Sequence, residues 1–141
     1  MIEHKELEQR ILAELEEAWE ETVGTLINTI TERTGDPAEV HNCFAAISSL
    51  IDRDLVRMSN SRGADRRLEA LSLSASLEVL NALQPKFTYS SVQRLWQDTS
   101  AFADGPPYRE YFPHVLPTEE GKAVGISILT GRGYQWWRVK S

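Results

Sequence analysis

The chain has 141 residues, 41% of them hydrophobic and 26% charged, and a formal net charge of −6. These values are typical of a globular protein of one domain or two small ones, and they exclude a disordered or fibrous chain. The charge argues against a protein that coats nucleic acid, and the single cysteine, Cys43, excludes an internal disulfide or a zinc site built on cysteines.

No stretch approaches the roughly 20 apolar residues of a membrane span, and the acidic start lacks a signal-peptide pattern. We therefore expect a cytoplasmic protein with no membrane partner.

Charge and aromatic residues are unevenly distributed. Residues 1–54 hold four basic and thirteen acidic side chains, whereas residues 55–141 hold eleven and eight. Ten of the twelve aromatic residues follow residue 86. These shifts predict two parts, 1–84 and 85–141.

The first part begins with three predicted helices. An apolar stripe opposite a glutamate-rich face predicts a helix over about residues 5–21, and the stripe comprises Leu7, Ile11, Leu12, Leu15, Ala18 and Trp19. Thr22 is placed to cap a second helix and Gly35 to end it. Asp36 and Pro37 are typical of a helix start, and they predict a third helix to about Arg53.

After the third helix, the spacing of apolar residues changes to the two-residue alternation of strands. Residues 55–59 and 67–73 alternate apolar and polar side chains, and the turn-rich residues 60–65 separate them. Three helices followed by a two-stranded wing is the order of a winged helix-turn-helix.

The wing resembles that of the MarR family of bacterial transcription regulators. The family's pattern is Asp-x-Arg, five residues, then Leu-Thr; here Asp65, Arg67, Leu73 and Ser74 stand in that register, with serine replacing threonine. Residues 46–56 are likewise similar to the family's recognition helix and first wing strand. The resemblance covers about residues 37–80. The resemblance implies only the winged-helix unit for this chain, because Leu77 stands where the family has glycine and Pro85 interrupts the following helix.

The resemblance implies a DNA-binding transcription regulator. Helix 37–53 would enter the major groove, and the wing, residues 57–67, would contact the backbone or minor groove. The candidate DNA contacts by position are His41, Asn42, Ser49, Arg53, Arg57, Arg62, Arg66 and Arg67. Asp65 is implied to support the wing by pairing with Arg67. Four or five arginines per subunit are a modest supply for phosphate contacts, so we expect a homodimer on double-stranded DNA.

A second interpretation fits the same pattern. The third helix has one arginine near its end and no lysine, and Glu39 and Asp52 would repel phosphates. The alternative is therefore a winged-helix protein–protein interaction or assembly module without DNA binding.

The second part is richer in aromatic residues. Its pattern predicts helices over 75–83 and 90–98, an aromatic loop over 101–117, a helix from Thr118, and a strand over 134–139. A weak similarity between residues 47–55 and 126–134 suggests a second degenerate winged helix; the other interpretation is a dimerisation or effector-sensing subdomain. The whole chain is predicted to be mainly α with a small β wing, an α+β fold.

No catalytic or metal-binding motif stands out. His41 and Cys43 are two residues apart on a helix, so their side chains diverge by about 200° and Cys43 falls on the apolar arc. Neither a Ser-His-Asp signature nor a glycine-rich phosphate loop is present. We expect no enzymatic activity, no cofactor and no metal.

Overall fold

The computed structural model describes residues 2–59, 69–99 and 113–138. There the chain is mainly helical with a small antiparallel sheet, which confirms the α+β prediction at that level. The first elements are α1 (His4–Ala18), β1 (Glu21–Thr22), α2 (Val23–Ile30), α3 (Pro37–Asp52) and β2 (Val56–Met58). They are followed by α4 (Leu73–Leu83), β3 (Phe87–Ser90), β4 (Leu95–Asp98), β5 (His114–Pro117) and α5 (Glu119–Arg132).

Three helices begin at the residues where the sequence predicts a helix start. The side chains of Thr22 and Asp36 each accept a hydrogen bond from a backbone N–H of the first turn, at 3.3 and 2.9 Å. Thr118 does the same for α5 at 3.1 Å. Side-chain capping of the free N–H groups therefore determines these helix starts, as the local sequence indicates.

The predicted end of α2 is wrong. The helix stops at Ile30, five residues before Gly35, because Thr31 is extended and donates both its N–H and its hydroxyl to the Ile27 carbonyl. Gly35 instead lies in the following loop with φ +89°, where a Cβ would stand 2.9 Å from the Tyr89 ring. Glycine is required there by the backbone conformation and by this close approach.

The main sheet joins distant segments. Its strand order is β1-β5-β2, and β5 pairs antiparallel with both neighbours. Val115 is opposite Glu21 on one side and opposite Met58 on the other. The connection between β2 and β5 spans more than fifty residues and contains α4, β3 and β4.

In its described part, the prediction that residues 67–73 form the second wing strand is confirmed only for a short contact with the end of β2. Ala70 makes a single antiparallel bridge with Ser59, and the Leu71 N–H donates to the Met58 carbonyl at 2.9 Å, but Leu73 already begins α4. The Ser72 side chain caps that helix by accepting the Ala75 N–H at 3.3 Å. Apolar residues at 71, 73, 77 and 80 fit a helix as well as a strand, and the cap favours the helix.

The predicted helix over 90–98 is also wrong, because these residues form the turn and second strand of a hairpin. β3 and β4 pair antiparallel, with Ser90 opposite Leu95. Asn28 of α2 holds β4 extended: its Nδ2 donates to the Trp96 carbonyl at 2.9 Å, and the Trp96 N–H donates to its Oδ1 at 2.8 Å. Local spacing cannot reveal a partner so far along the chain.

The predicted C-terminal strand is wrong where it is described. Residues 136–138 form a 3-10 turn. The Trp137 Nε1 and the Arg138 guanidinium both donate to the Thr29 carbonyl, at 3.2 and 2.9 Å. These residues therefore bind one free carbonyl near the end of α2 instead of a strand edge. Of the predicted aromatic loop, residues 114–117 are β5, and residues 101–112 lie outside the described ranges.

The hydrophobic core lies among α1, α2, α3 and the sheet, and α5 packs along α1. Two glycines allow α5 to approach the backbone before β2 and the backbone of α1. A Cβ at Gly121 would stand 1.9 Å from the Leu55 carbonyl oxygen, and one at Gly125 would stand 2.7 Å from that of Leu12. The division of the chain at residue 84 stays a prediction, as does a second winged helix; the described residues place β5, from the second part, between two strands of the first.

Candidate functional site

The predicted DNA contacts on α3 share one side of the helix. His41 is exposed, and Asn42 and Ser49 are partly buried. Ala45 and Asp52 are also exposed, so the outer surface of α3 is small, polar and without a lysine or arginine inside the helix. We call this surface, residues 38, 41, 42, 45, 49 and 52, the outer α3 face.

The two described arginines of the predicted DNA site are both paired with carboxylates. Arg53, directly after α3, donates to Glu8 of α1 at 2.6 Å. Arg57, on β2, donates to Asp54 at 2.5 Å. The remaining predicted contacts, Arg62, Arg66 and Arg67, and the supporting Asp65 lie outside the described residues. Among the described residues, therefore, every arginine predicted to contact DNA is neutralised by an acidic neighbour.

The segment between β2 and β5 packs beside α3. Helix α4 contacts α3 and β2, and the β3–β4 hairpin contacts α2. Phe87 of the hairpin meets the Phe44 ring of α3 edge to face at 5.7 Å. The segment leaves the outer α3 face open but borders it, and His41 lies in the groove that α3 forms with Asn81 and Pro85.

Hydrogen bonds to Glu39 of α3 link β4 to the loop between α2 and α3. One carboxylate oxygen accepts hydrogen bonds from the N–H groups of Thr34 and Gly35, at 2.9 and 3.2 Å, and from the Trp96 indole at 3.0 Å. The prediction that Glu39 would face DNA phosphates overlooked these three donors. Two of them are adjacent to the helix start, where a carboxylate commonly binds.

A second cluster joins α1 to the C-terminal residues. Glu6 accepts hydrogen bonds from Arg10, Arg132 and Trp136, at 2.9, 2.7 and 2.9 Å. Burial alone would raise the pKa of Glu6, but these hydrogen bonds and the Arg132 charge outweigh it and lower the pKa. The Arg132 guanidinium also lies 4.2 Å from the Trp136 ring centre. All the charges of this cluster are satisfied, so it joins α1 to the end of α5 and to Trp136.

Cys43 is fully buried in the core, and burial raises the pKa of its thiol to about 12. The thiol therefore stays protonated and unreactive in the folded chain. Within residues 2–59, 69–99 and 113–138, no three His, Cys, Asp or Glu side chains converge in a metal-binding arrangement. None of the helices in these ranges has the length and apolar character needed to cross a membrane.

Trp19 was predicted to lie in the apolar stripe of α1, and this prediction is wrong. The helix ends at Ala18, and Trp19 adopts φ +73° and is 80% exposed. It borders a groove between the end of α1, β5 and the start of α5. We call it the Trp19 groove; its lining residues are Leu15, Glu16, Trp19, Glu20, Leu116, Pro117 and Lys122. The clustering of glutamates around a tryptophan was the only local signal for this surface.

In comparisons with known proteins, no family model, curated protein or solved structure matches the chain.

Proposed function

We propose that the chain is a winged-helix unit whose wing carries a long insertion. The order α1-β1-α2-α3-β2, closed by β5 between β1 and β2, supports this topology. On this proposal β5 is the returning wing strand. The MarR-like family has a glycine three residues after its threonine, and Thr118 and Gly121 have that spacing directly after β5. The resemblance in residues 65–74 then concerns only the start of the insertion.

We infer that this unit binds a protein partner and not DNA. The observation that carries the inference is the pairing of Arg53 with Glu8 and of Arg57 with Asp54. Proteins that bind DNA specifically release counterions through many lysine or arginine contacts to phosphate, typically about 6 to 10. The described part of the proposed DNA surface offers no unpaired lysine or arginine for that purpose.

Exposed acidic groups on the same side add to this argument. A surface ion pair contributes only about 0 to 1 kcal/mol, so a phosphate could displace either carboxylate from its arginine. The displaced Asp54, together with exposed Asp52, would then lie close to the phosphates and repel them. A protein partner that supplies its own cations and hydrogen-bond donors therefore matches this acidic surface better than DNA does.

The proposal is tested by a salt titration of a fluorescein-labelled duplex of mixed sequence with the full chain. We expect a dissociation constant weaker than about 10⁻⁴ M even at low salt. The double variant Arg66→Ala with Arg67→Ala should behave like the wild type, and so should the control Arg94→Ala at the hairpin turn. Micromolar binding with a steep salt dependence that the double variant reduces would refute the inference.

That contrary result defines the second candidate, a DNA-binding transcription regulator acting as a homodimer. The observation in its favour is the outer α3 face, which is small, open and held by a well-capped helix. On this candidate His41 and Ser49 would face bases and the wing arginines would bind phosphates. The same titration decides between the two functions.

A further inference from the structure

Trp19 is an aromatic side chain in an unfavourable position. It is 80% exposed, and its φ of +73° with ψ of −42° belongs to a region that residues other than glycine rarely adopt. The Trp19 N–H donates a hydrogen bond to the Leu15 carbonyl at the end of α1, at 2.7 Å, and this bond does not depend on the side chain. The indole itself thus contributes little burial to the fold while the backbone conformation costs free energy.

The groove beside Trp19 has the size and lining of a side-chain binding site. Its volume is about 390 Å³, within the usual range for binding pockets. Leu116 and Pro117, both partly exposed, supply its accessible apolar lining, and Trp19 lies at its border. Exposed tryptophans beside apolar pockets are typical anchors of protein interfaces.

The charge around the groove is negative overall. Glu16, Glu17 and Glu20 form no ion pair among the described residues, and the last turn of α1 has no basic residue. The free carbonyls at this helix end are also negative, so carboxylates here destabilise the folded chain. Among the described residues that line the groove, Lys122 is the one cation, and it is 3.8 Å from Glu119.

We propose that the Trp19 groove docks a segment of a partner protein that carries arginine or lysine next to an apolar residue. The cation would stack on the Trp19 indole and pair with Glu16 and Glu20, and the apolar side chain would contact Leu116 and Pro117. This proposal rests on the protein-binding function and names the chemistry of the partner. Charge complementarity selects a basic partner segment over an acidic one.

The test uses the full chain and two fluorescein-labelled peptides of equal length, one alternating arginine with leucine and one alternating glutamate with leucine. Fluorescence polarisation should show binding of the first peptide and none of the second. Trp19→Gly should weaken binding about tenfold or more, because it removes the anchor. Its melting temperature should equal or exceed that of the wild type, because glycine tolerates a positive φ. The control Val92→Ala, at another highly exposed apolar residue, should leave binding unchanged.

A test variant and a matched control measure how much the groove's negative charge contributes to peptide binding. The double variant Glu16→Gln with Glu20→Gln should weaken binding and flatten its salt dependence, whereas Glu78→Gln, on exposed α4 surface, should do neither.

The outcomes separate the two proposals. Absence of arginine–leucine peptide binding, or equal binding by Trp19→Gly and wild type, would overturn the Trp19 groove but leave the protein-binding function standing if the duplex is not bound either. Tight, salt-dependent duplex binding would overturn the protein-binding function whatever the peptide does. Peptide binding that depends on Trp19, Glu16 and Glu20 would support the groove.

Discussion

Replacing Gly121 by alanine tests how β5 and α5 are joined to the rest of the chain. The added Cβ would stand 1.9 Å from the Leu55 carbonyl oxygen, which is backbone and cannot rotate away. Carbon–oxygen contacts below 3.0 Å essentially never occur at a Cβ, so α5 would have to move more than about 1 Å from the start of β2.

The expected loss can be estimated from three effects. Overpacking against rigid atoms costs about 3 kcal/mol, the upper end of the usual range. The displacement also breaks the hydrogen bond that the Thr118 N–H donates to the same Leu55 oxygen at 3.0 Å, worth about 1 kcal/mol. Alanine regains about 1 kcal/mol over glycine inside a helix. We therefore expect Gly121→Ala to lower the free energy of unfolding by about 3 kcal/mol.

Urea denaturation followed by far-ultraviolet circular dichroism measures this loss. Gly131→Ala is the matched control, because it lies in the same helix and its Cβ would meet no atom within 4 Å. That variant should gain about 0.5 to 1 kcal/mol. Equal stability of the two variants would refute the close contact between α5 and β2, and with it the proposed topology.

Three further predictions concern single side chains. Cys43, whose pKa burial raises to about 12, should react with a thiol reagent only after unfolding, and rapid labelling of the native chain would contradict its burial. Burial raises the pKa of Glu14, so its ionisation lowers stability as the pH rises above the ordinary value of 4.5. Glu14→Gln should therefore stabilise the chain near neutral pH and not in acid, and a pH-independent effect would refute this. Asn28→Ala should cost about 2 kcal/mol in chemical denaturation by unpairing the Trp96 backbone, whereas exposed Asn81→Ala should cost nothing measurable; equal losses would refute the bridge.

Local signals in the sequence were sufficient for the starts of α2, α3 and α5 and for the core arc of α3. The caps at Thr22, Asp36 and Thr118 depend on a side chain and a backbone N–H only two or three residues away. The burial of Cys43 follows from helical spacing alone, and it is confirmed.

Features that depend on distant partners could not be predicted in this way. The two-residue alternation after β2 predicted a hairpin partner nearby, but that partner makes only one bridge, between Ala70 and Ser59, and β2 pairs along its length with β5. Val92, Leu95 and Trp96 have helical spacing, yet Asn28, about seventy residues upstream, holds Trp96 in a strand. Trp19 fits the apolar stripe of α1 by position, but the helix ends one residue before it.

In the candidate site, too, the features set by local sequence were predictable and those set by distant residues were not. The sequence predicted which residues share the outer α3 face, since helical geometry fixes it. It could not predict that Glu8, forty-five residues before Arg53, would neutralise that arginine. The Trp19 groove likewise combines α1 with β5 and α5, and these segments are about one hundred residues apart.

An amide-resolved NMR titration of the isotope-labelled chain, with the arginine–leucine peptide and then with duplex DNA, tests the central claim most directly. Protein binding at the Trp19 groove predicts peptide-induced shifts at residues 15–20 and 116–122, and no shifts on the outer α3 face with DNA. Shifts at His41, Ala45 and Ser49 on adding DNA, with none around Trp19 on adding peptide, would contradict it.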